Sequence, residues 1–151
     1  MVFENLAAME SYIGKEIGVS DWVEITQEQV NMFAEATGDY QWIHVDPERA
    51  TKESPFKAPI AHGFLTLSLA SMLIAQVIEV KSAKMGVNYG LNKVRFTSHV
   101  PVGAKVRMRC TLNAQEDFPP NGKRSIYGIV FEIEGQDKPA CVAEWIGLSF
   151  E

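Results

Sequence analysis

Apolar positions recur along this chain with two different periods, and the change of period divides it. Val30, Phe33, Ala34 and Thr37 fall at helical spacing. Just ahead of them, Thr26-Gln27-Glu28-Gln29 matches a capping box, with Thr26 as N-cap and Gln29 reaching back. Gly38 then supplies the residue that closes a helix in the left-handed conformation. A helix is therefore predicted over 27–36. Asp46-Pro47-Glu48 starts a second, shorter helix, with Asp46 as N-cap and Pro47 at the first helical position. It runs out near Ser54-Pro55, because a residue before proline is pushed out of the α region. From Phe64 to about Val80 the chain is apolar nearly all round, which predicts a helix buried on most of its faces. Residues 5–18 read as a helical segment broken by Gly14 and Gly18, and residues 21–25 as a short strand.

Beyond that helix the period falls to two. Strand-like runs over 85–99, 104–117, 124–134 and 140–150 are separated by turns around Pro101-Val102-Gly103, Pro119-Pro120-Asn121-Gly122 and Gly135-Gln136-Asp137. Val106, Met108, Cys110 and Leu112 alternate with Lys105, Arg107, Arg109 and Thr111, the mark of an antiparallel sheet with one face in water. One buried helix followed by a meander of long strands predicts an α+β fold in which the sheet wraps around the helix. The length fits a single domain over 1–151.

Composition narrows the partners. A net charge of −5 with no dense Lys/Arg block argues against nucleic acid. A small anionic ligand stays open, since a local pocket decides that. Cys110 and Cys141 lie in strand-like runs without a CxxC pattern and read as reduced, buried thiols. The first eight residues lack the basic-then-apolar order of a signal peptide. The apolar stretch contains Thr66, Ser68, Ser71, Gln76 and Glu79, too many polar groups for a membrane span. A cytoplasmic location without a membrane partner is the expectation.

The chemistry concentrates between residues 33 and 71. Asp39 and His44, both able to move protons, stand five residues apart in a run with neither helical nor strand periodicity. Gly63 opens the apolar helix, where backbone N–H groups are unpaired at the positive end of the dipole and no Cβ obstructs a ligand. Singly, Asp39 reads equally as a turn cap, His44 as a satisfied loop histidine and Gly63 as a turn glycine. Together they are sufficient for adding water to a polarised double bond. His62 reads as a pocket wall or structural donor, and His99, beside Pro101 at a strand end, as a surface residue. Asp39, His44 and His62 could in principle ligate a metal; with no HxxxH or HxH pair, no metal is expected.

The ordered set Phe33, Thr37-Gly38-Asp39, Ile43-His44 and, after five intervening residues, Ala50 resembles the hydratase motif of the MaoC-like dehydratases. That hot-dog fold family includes the (R)-specific enoyl-CoA hydratases and the NodN-like proteins. The likeness continues through Ala61-His62-Gly63, Asn88-Tyr89-Gly90 and Val94-Arg95-Phe96 and covers most of the chain from Gln27 onward. Where the commoner motif has Asn-Pro, this chain has Gln41-Trp42, as in the NodN-like branch. The resemblance implies a hot-dog fold around a long central helix and reversible, cofactor-free syn hydration of (2E)-enoyl-CoA to (R)-3-hydroxyacyl-CoA.

In that reading Asp39 and His44 are the catalytic pair around one water, Gly63 is the oxyanion donor, and Ser71 orients Asp39. Tyr40, Gln41, Trp42 and Phe64, with Phe56, are candidates for the substrate channel, although the aromatics are equally readable as core. Lys93 and Arg95, alternating with Val94 and Phe96, would meet the coenzyme A phosphates or simply face solvent. The family likeness also implies a homodimer joined sheet edge to sheet edge, with the site near the interface and the acyl group carried on coenzyme A or acyl carrier protein. Two alternatives stay open: a hot-dog thioesterase, and, given Gln41-Trp42, a non-catalytic acyl-thioester-binding protein.

Overall fold

The computed structural model describes residues 1–151. In chain order its elements are β1 (Val2–Phe3), a 3-10 helix (Ala7–Tyr12), β2 (Lys15–Val19), β3 (Val23–Glu24), α1 (Gln27–Thr37), α2 (Trp42–Val45) and α3 (Pro47–Glu53). They continue with α4 (Gly63–Ser68), α5 (Ala70–Val77), β4 (Glu79–Val80), β5 (Met85–Phe96), β6 (Lys105–Phe118), β7 (Gly122–Ile133) and β8 (Cys141–Phe150).

The alternating runs build the frame. β6, β7 and β8 form an antiparallel meander, β5 adds to the free edge of β8, and β2 and β3 pair with the other edge of β6. Val106, Met108, Cys110 and Leu112 are fully buried, as are Ile129 and Phe131 on β7. Lys105, Arg107 and Arg109 point the other way, where Arg107 and Arg109 both bond Glu132. The expected alternation of a dry and a wet face is what the sheet shows. Burial pushes the Cys110 thiol up to about 12 and the Cys141 thiol to about 11, so both stay protonated.

Three expectations need correction. The meander is not in simple chain order: β5 lies beside β8, not beside β6, which follows it in sequence. The connection between them crosses the end of the sheet, buries Val100, and accepts the Ala61 N–H at Val100 O (2.8 Å). Residues 5–18 are not a helix throughout. Gly14 turns the chain at φ +82°, and Ile17 and Val19, β-branched, extend along β6. The close approach of α5 fixes Gly18, where a Cβ would stand 3.1 Å from Val77 Cγ1.

The third concerns the central helix. It is one rod tightened at Leu69, which stays in the αR region while its N–H is shared between Leu65 O and Thr66 O (3.3 Å each), and it ends at Val77. Leu65, Ala70, Leu73 and Val77 face the sheet, but Phe64, Ser68, Ser71 and Met72 form an exposed stripe. In a single chain the rod is thus buried on one side only. No helix is long and apolar enough to cross a membrane.

Candidate active site

The local sequence explains how the site is presented. α1 begins with the capping box formed by Thr26 and Gln29 and ends at Gly38 (φ +79°), whose left-handed turn throws Asp39 out of the helix. The Asp39 side chain remains half-exposed, and Oδ1 accepts the Gln41 N–H (3.2 Å), which closes a short Asx turn. Gln41 O then accepts the His44 N–H (2.9 Å), so 42–45 coils into the single turn α2 rather than an irregular connection. That turn carries His44 inward until only 7% is exposed.

Two contacts fix the His44 ring. Nδ1–H donates to Ile60 O (2.6 Å), which leaves Nε2 with a lone pair, and the ring stacks on His62 at 3.9 Å with 28° between planes. Burial lowers the His44 pKa below 6.5; the Ile60 carbonyl opposes this, His62 adds to it, and Asp39 opposes it weakly. The net direction is down, so at neutral pH the ring is an uncharged base.

A carboxylate oxygen of Asp39 and ring nitrogens of His44 and His62 lie within 4.8 Å of one another. Two hydrogen bonds of ~2.8 Å to a tetrahedral water oxygen span ~4.6 Å, so a gap of up to 4.8 Å between Asp39 and His44 can admit one bridging water. A metal fits the trio less well. Ring lone pairs lie in the ring planes, and stacked rings send them side by side rather than converging on a tetrahedral ion.

His44 and Gly63 share a cavity of about 400 Å³, walled also by Phe56, Thr66, Phe96 and His99. The Gly63 N–H has no acceptor within the chain. Phe96 lies across this glycine: a Cβ there would come 3.0 Å from Phe96 Cγ. The residue must be small for that reason as well as for access.

The other residues singled out from sequence are placed differently. Phe56 does line this cavity, but Tyr40 is exposed and Gln41 serves as the N-cap of α2. Trp42 lies under the Arg49 guanidinium, 4.3 Å from its ring centroid. Phe64 is 68% exposed and, with Ser71, lines a separate cavity of about 120 Å³ against Asn88, Leu91 and Trp145. Ser71 makes no hydrogen bond to Asp39 within the chain. Lys93 pairs across β8 with Glu144 and Arg95 with Val142, on the sheet face opposite Val94 and Phe96. A single chain therefore brings together Asp39, His44, His62 and Gly63, and leaves Ser71, Lys93 and Arg95 elsewhere.

His99, expected at the surface, packs on Phe56 in the cavity wall (4.7 Å between rings), and Thr97, Ser98 and Ala140 extend that wall. These residues come from the crossing connection and the residue just before β8, about fifty to a hundred residues beyond His44 in the chain. No local signal marks them.

A sheet wrapped on a helix, with a carboxylate–imidazole pair beside the start of that helix, is a hot-dog fold of the hydro-lyase class. The profile of the MaoC like domain matches residues 8–126. The chain is 52% identical over 144 residues to "3-hydroxyacyl-thioester dehydratase Z" of Mycobacterium tuberculosis (strain CDC 1551 / Oshkosh), covering 95% of each. It is 45% identical over 145 residues to "Nodulation protein N" of Rhizobium leguminosarum bv. viciae, covering 95% of this chain and 90% of the relative. Its fold is similar to that of R-hydratase PhaJ1 from Pseudomonas aeruginosa in the unliganded form, with a TM-score of 0.69, 24% identity and coverage of 92% and 82%. The chain belongs to the MaoC-like dehydratase family and is a hydro-lyase of its NodN-like branch.

Proposed function

We propose that this enzyme reversibly hydrates (2E)-enoyl thioesters, carried on coenzyme A or acyl carrier protein, to (R)-3-hydroxyacyl thioesters. The observation that carries the reading is the Asp39 carboxylate and His44 imidazole within 4.8 Å of each other, beside a cavity lined by Gly63, whose N–H has no acceptor within the chain. Two of the similar proteins, a 3-hydroxyacyl-thioester dehydratase and an R-hydratase, support the same substrate class and product hand.

The proposed steps use this geometry. Asp39 accepts a hydrogen bond from one O–H of the bound water and so aims the oxygen, while His44 Nε2 removes the other proton. The oxygen bonds to Cβ as the π electrons move to the thioester oxygen, where the Gly63 N–H receives the developing charge. The proton on Nε2 then passes to Cα on the same face. Nothing is left over: His44 returns to its starting form, the addition is syn, and no cofactor is consumed.

A homodimer completes this proposal. Phe64, Met72, Met85, Val87, Tyr89 and Leu91 are each at least 40% exposed, and β5 ends the sheet with an unpaired edge. A second copy joined along β5 would cover this surface and place Ser71 and Phe64 at the junction.

The test is a panel of enoyl-CoA chain lengths, with loss of the enoyl chromophore as the readout and chiral chromatography of the product. Hydration giving the (R)-alcohol, without release of free thiol, is expected. Thiol release with an unchanged enoyl group would replace the proposal by a thioesterase; tight binding with neither change would replace it by a non-catalytic binder.

A further inference from the structure

We propose that His62 is a positioning residue that holds the two halves of the Asp39–His44 pair in register, gripping the Asp39 backbone with one edge and the His44 ring with one face. This rests on the hydratase reading and adds a residue with a definite task to it.

Asp39 is poorly anchored on its own. Its carboxylate is half-exposed, and its one local bond, from the Gln41 N–H, moves with the same turn. The hydrogen bond that reaches Asp39 from elsewhere in the fold comes from His62: Nε2–H donates to Asp39 O at 3.0 Å. Oδ2 stands 3.9 Å from that nitrogen, beyond hydrogen-bond range, so the carboxylate is fixed through its backbone and left available to water.

The rest of the His62 ring is committed as well. It is 3% exposed and sits between Phe33 of α1 (4.9 Å, 52°) and His44 of α2 (3.9 Å, 28°). The carbonyl acceptor makes Nε2 the protonated nitrogen, so Nδ1 is a lone pair, and it is buried without a partner in the chain. A side chain retained for hydrogen bonding alone would not leave one of its two polar atoms unpaired. What it does instead is join elements. His62 is the N-cap of α4, its carbonyl accepts the Thr66 N–H (3.2 Å), and the next peptide presents the Gly63 N–H. One residue thus links the carboxylate, the base and the oxyanion donor, whose relative placement to within ~1 Å governs rates by factors near 100.

Two substitutions divide its contacts. His62→Phe keeps a ring between Phe33 and His44 but loses the donor to Asp39 O. His62→Gln keeps an amide donor and loses the ring. The titratable groups facing His44 are Asp39 and His62, with His99 on the cavity wall. Because His62 helps to depress His44, removing it raises the His44 pKa, and the acid limb of kcat/KM moves to higher pH.

Steady-state kinetics across pH, with NMR titration of the His44 ring protons in the absence of substrate, tests this. In His62→Phe, kcat is expected to fall ~100-fold with KM within ~3-fold, whereas His62→Gln recovers kcat to within ~10-fold of the parent. In both, the His44 resonance titrates at higher pH. Wild-type kcat in both variants would overturn the proposal, as would equal losses with an unmoved His44 titration, the signature of a merely structural role. The NMR arm needs no turnover. A parent protein without hydratase activity would therefore sink the functional reading alone. An unmoved His44 in the folded His62→Gln protein would sink this one alone.

Discussion

Replacing His44 by glutamine lowers kcat for enoyl-thioester hydration by about 10²- to 10⁴-fold, the contribution of a positioned general acid–base. Asp39→Asn falls in the same range. The expectation for His44 rests on its free Nε2: Ile60 O takes the Nδ1 proton, and burial keeps the ring uncharged near neutral pH. Glutamine retains an amide near the Ile60 carbonyl but offers no nitrogen base. Asp39→Asn keeps an oxygen for the Gln41 N–H and removes the charge that aims the water. Neither change empties the core, since Asp39 is half-exposed and the amide nearly fills the imidazole space. Thermal unfolding within a few degrees of the parent should accompany the loss of turnover. Full turnover in either folded variant would remove that residue from the mechanism.

The second large effect concerns Gly63, and it separates a steric role from an electrostatic one. Gly63→Ala adds a Cβ that meets the Phe96 ring at 3.0 Å but keeps the N–H. Phe96 is itself half-exposed and has room to turn. Gly63→Pro adds the same Cβ, closes it through Cγ and Cδ onto the nitrogen, and so deletes the N–H. Proline suits the first position of a helix, and His62 already has the extended backbone (φ −58°, ψ 138°) that a following proline requires. The proline variant is expected to fold and to lose about 2.7–4 kcal/mol of transition-state stabilisation beyond the alanine variant, the range for one oxyanion donor. Measured as kcat, that is a further factor of about 10²–10³. Equal activities in the two variants would assign Gly63 to packing against Phe96 alone.

Much of the frame could be read from the residues. The Thr26 box and Gly38 bounded α1 to within a residue, because caps satisfy specific orphan groups and leave a local signature. The four long strands followed from period-two alternation. Pairing was less legible. Alternation shows that Lys93 and Arg95 share a face, but which face meets the helix depends on β5 lying beside β8, a choice made by the crossing connection. β2 was hidden because five residues around two glycines carry too short a pattern, and their extended form is imposed by β6.

The site divides in the same way. Asp39, His44 and Gly63 were visible through spacing and a helix start, and the chain does gather them. The stack of His62 on His44 and the Phe56–His99 mouth are tertiary contacts between segments with no common pattern. Ser71 sits on the exposed stripe of the central helix, a position that a single chain leaves facing outward.

The claim that one water is held jointly by the two side chains has its most direct test in a double-mutant cycle. Hydration kcat is measured for the parent, Asp39→Asn, His44→Gln and the doubly substituted enzyme. Groups acting as one unit are non-additive, so the double variant should lie within ~10-fold of the slower single variant. Losses that multiply, with the double variant slower by the full product of the two single effects, would show that the carboxylate and the imidazole act on separate events and would contradict the shared water.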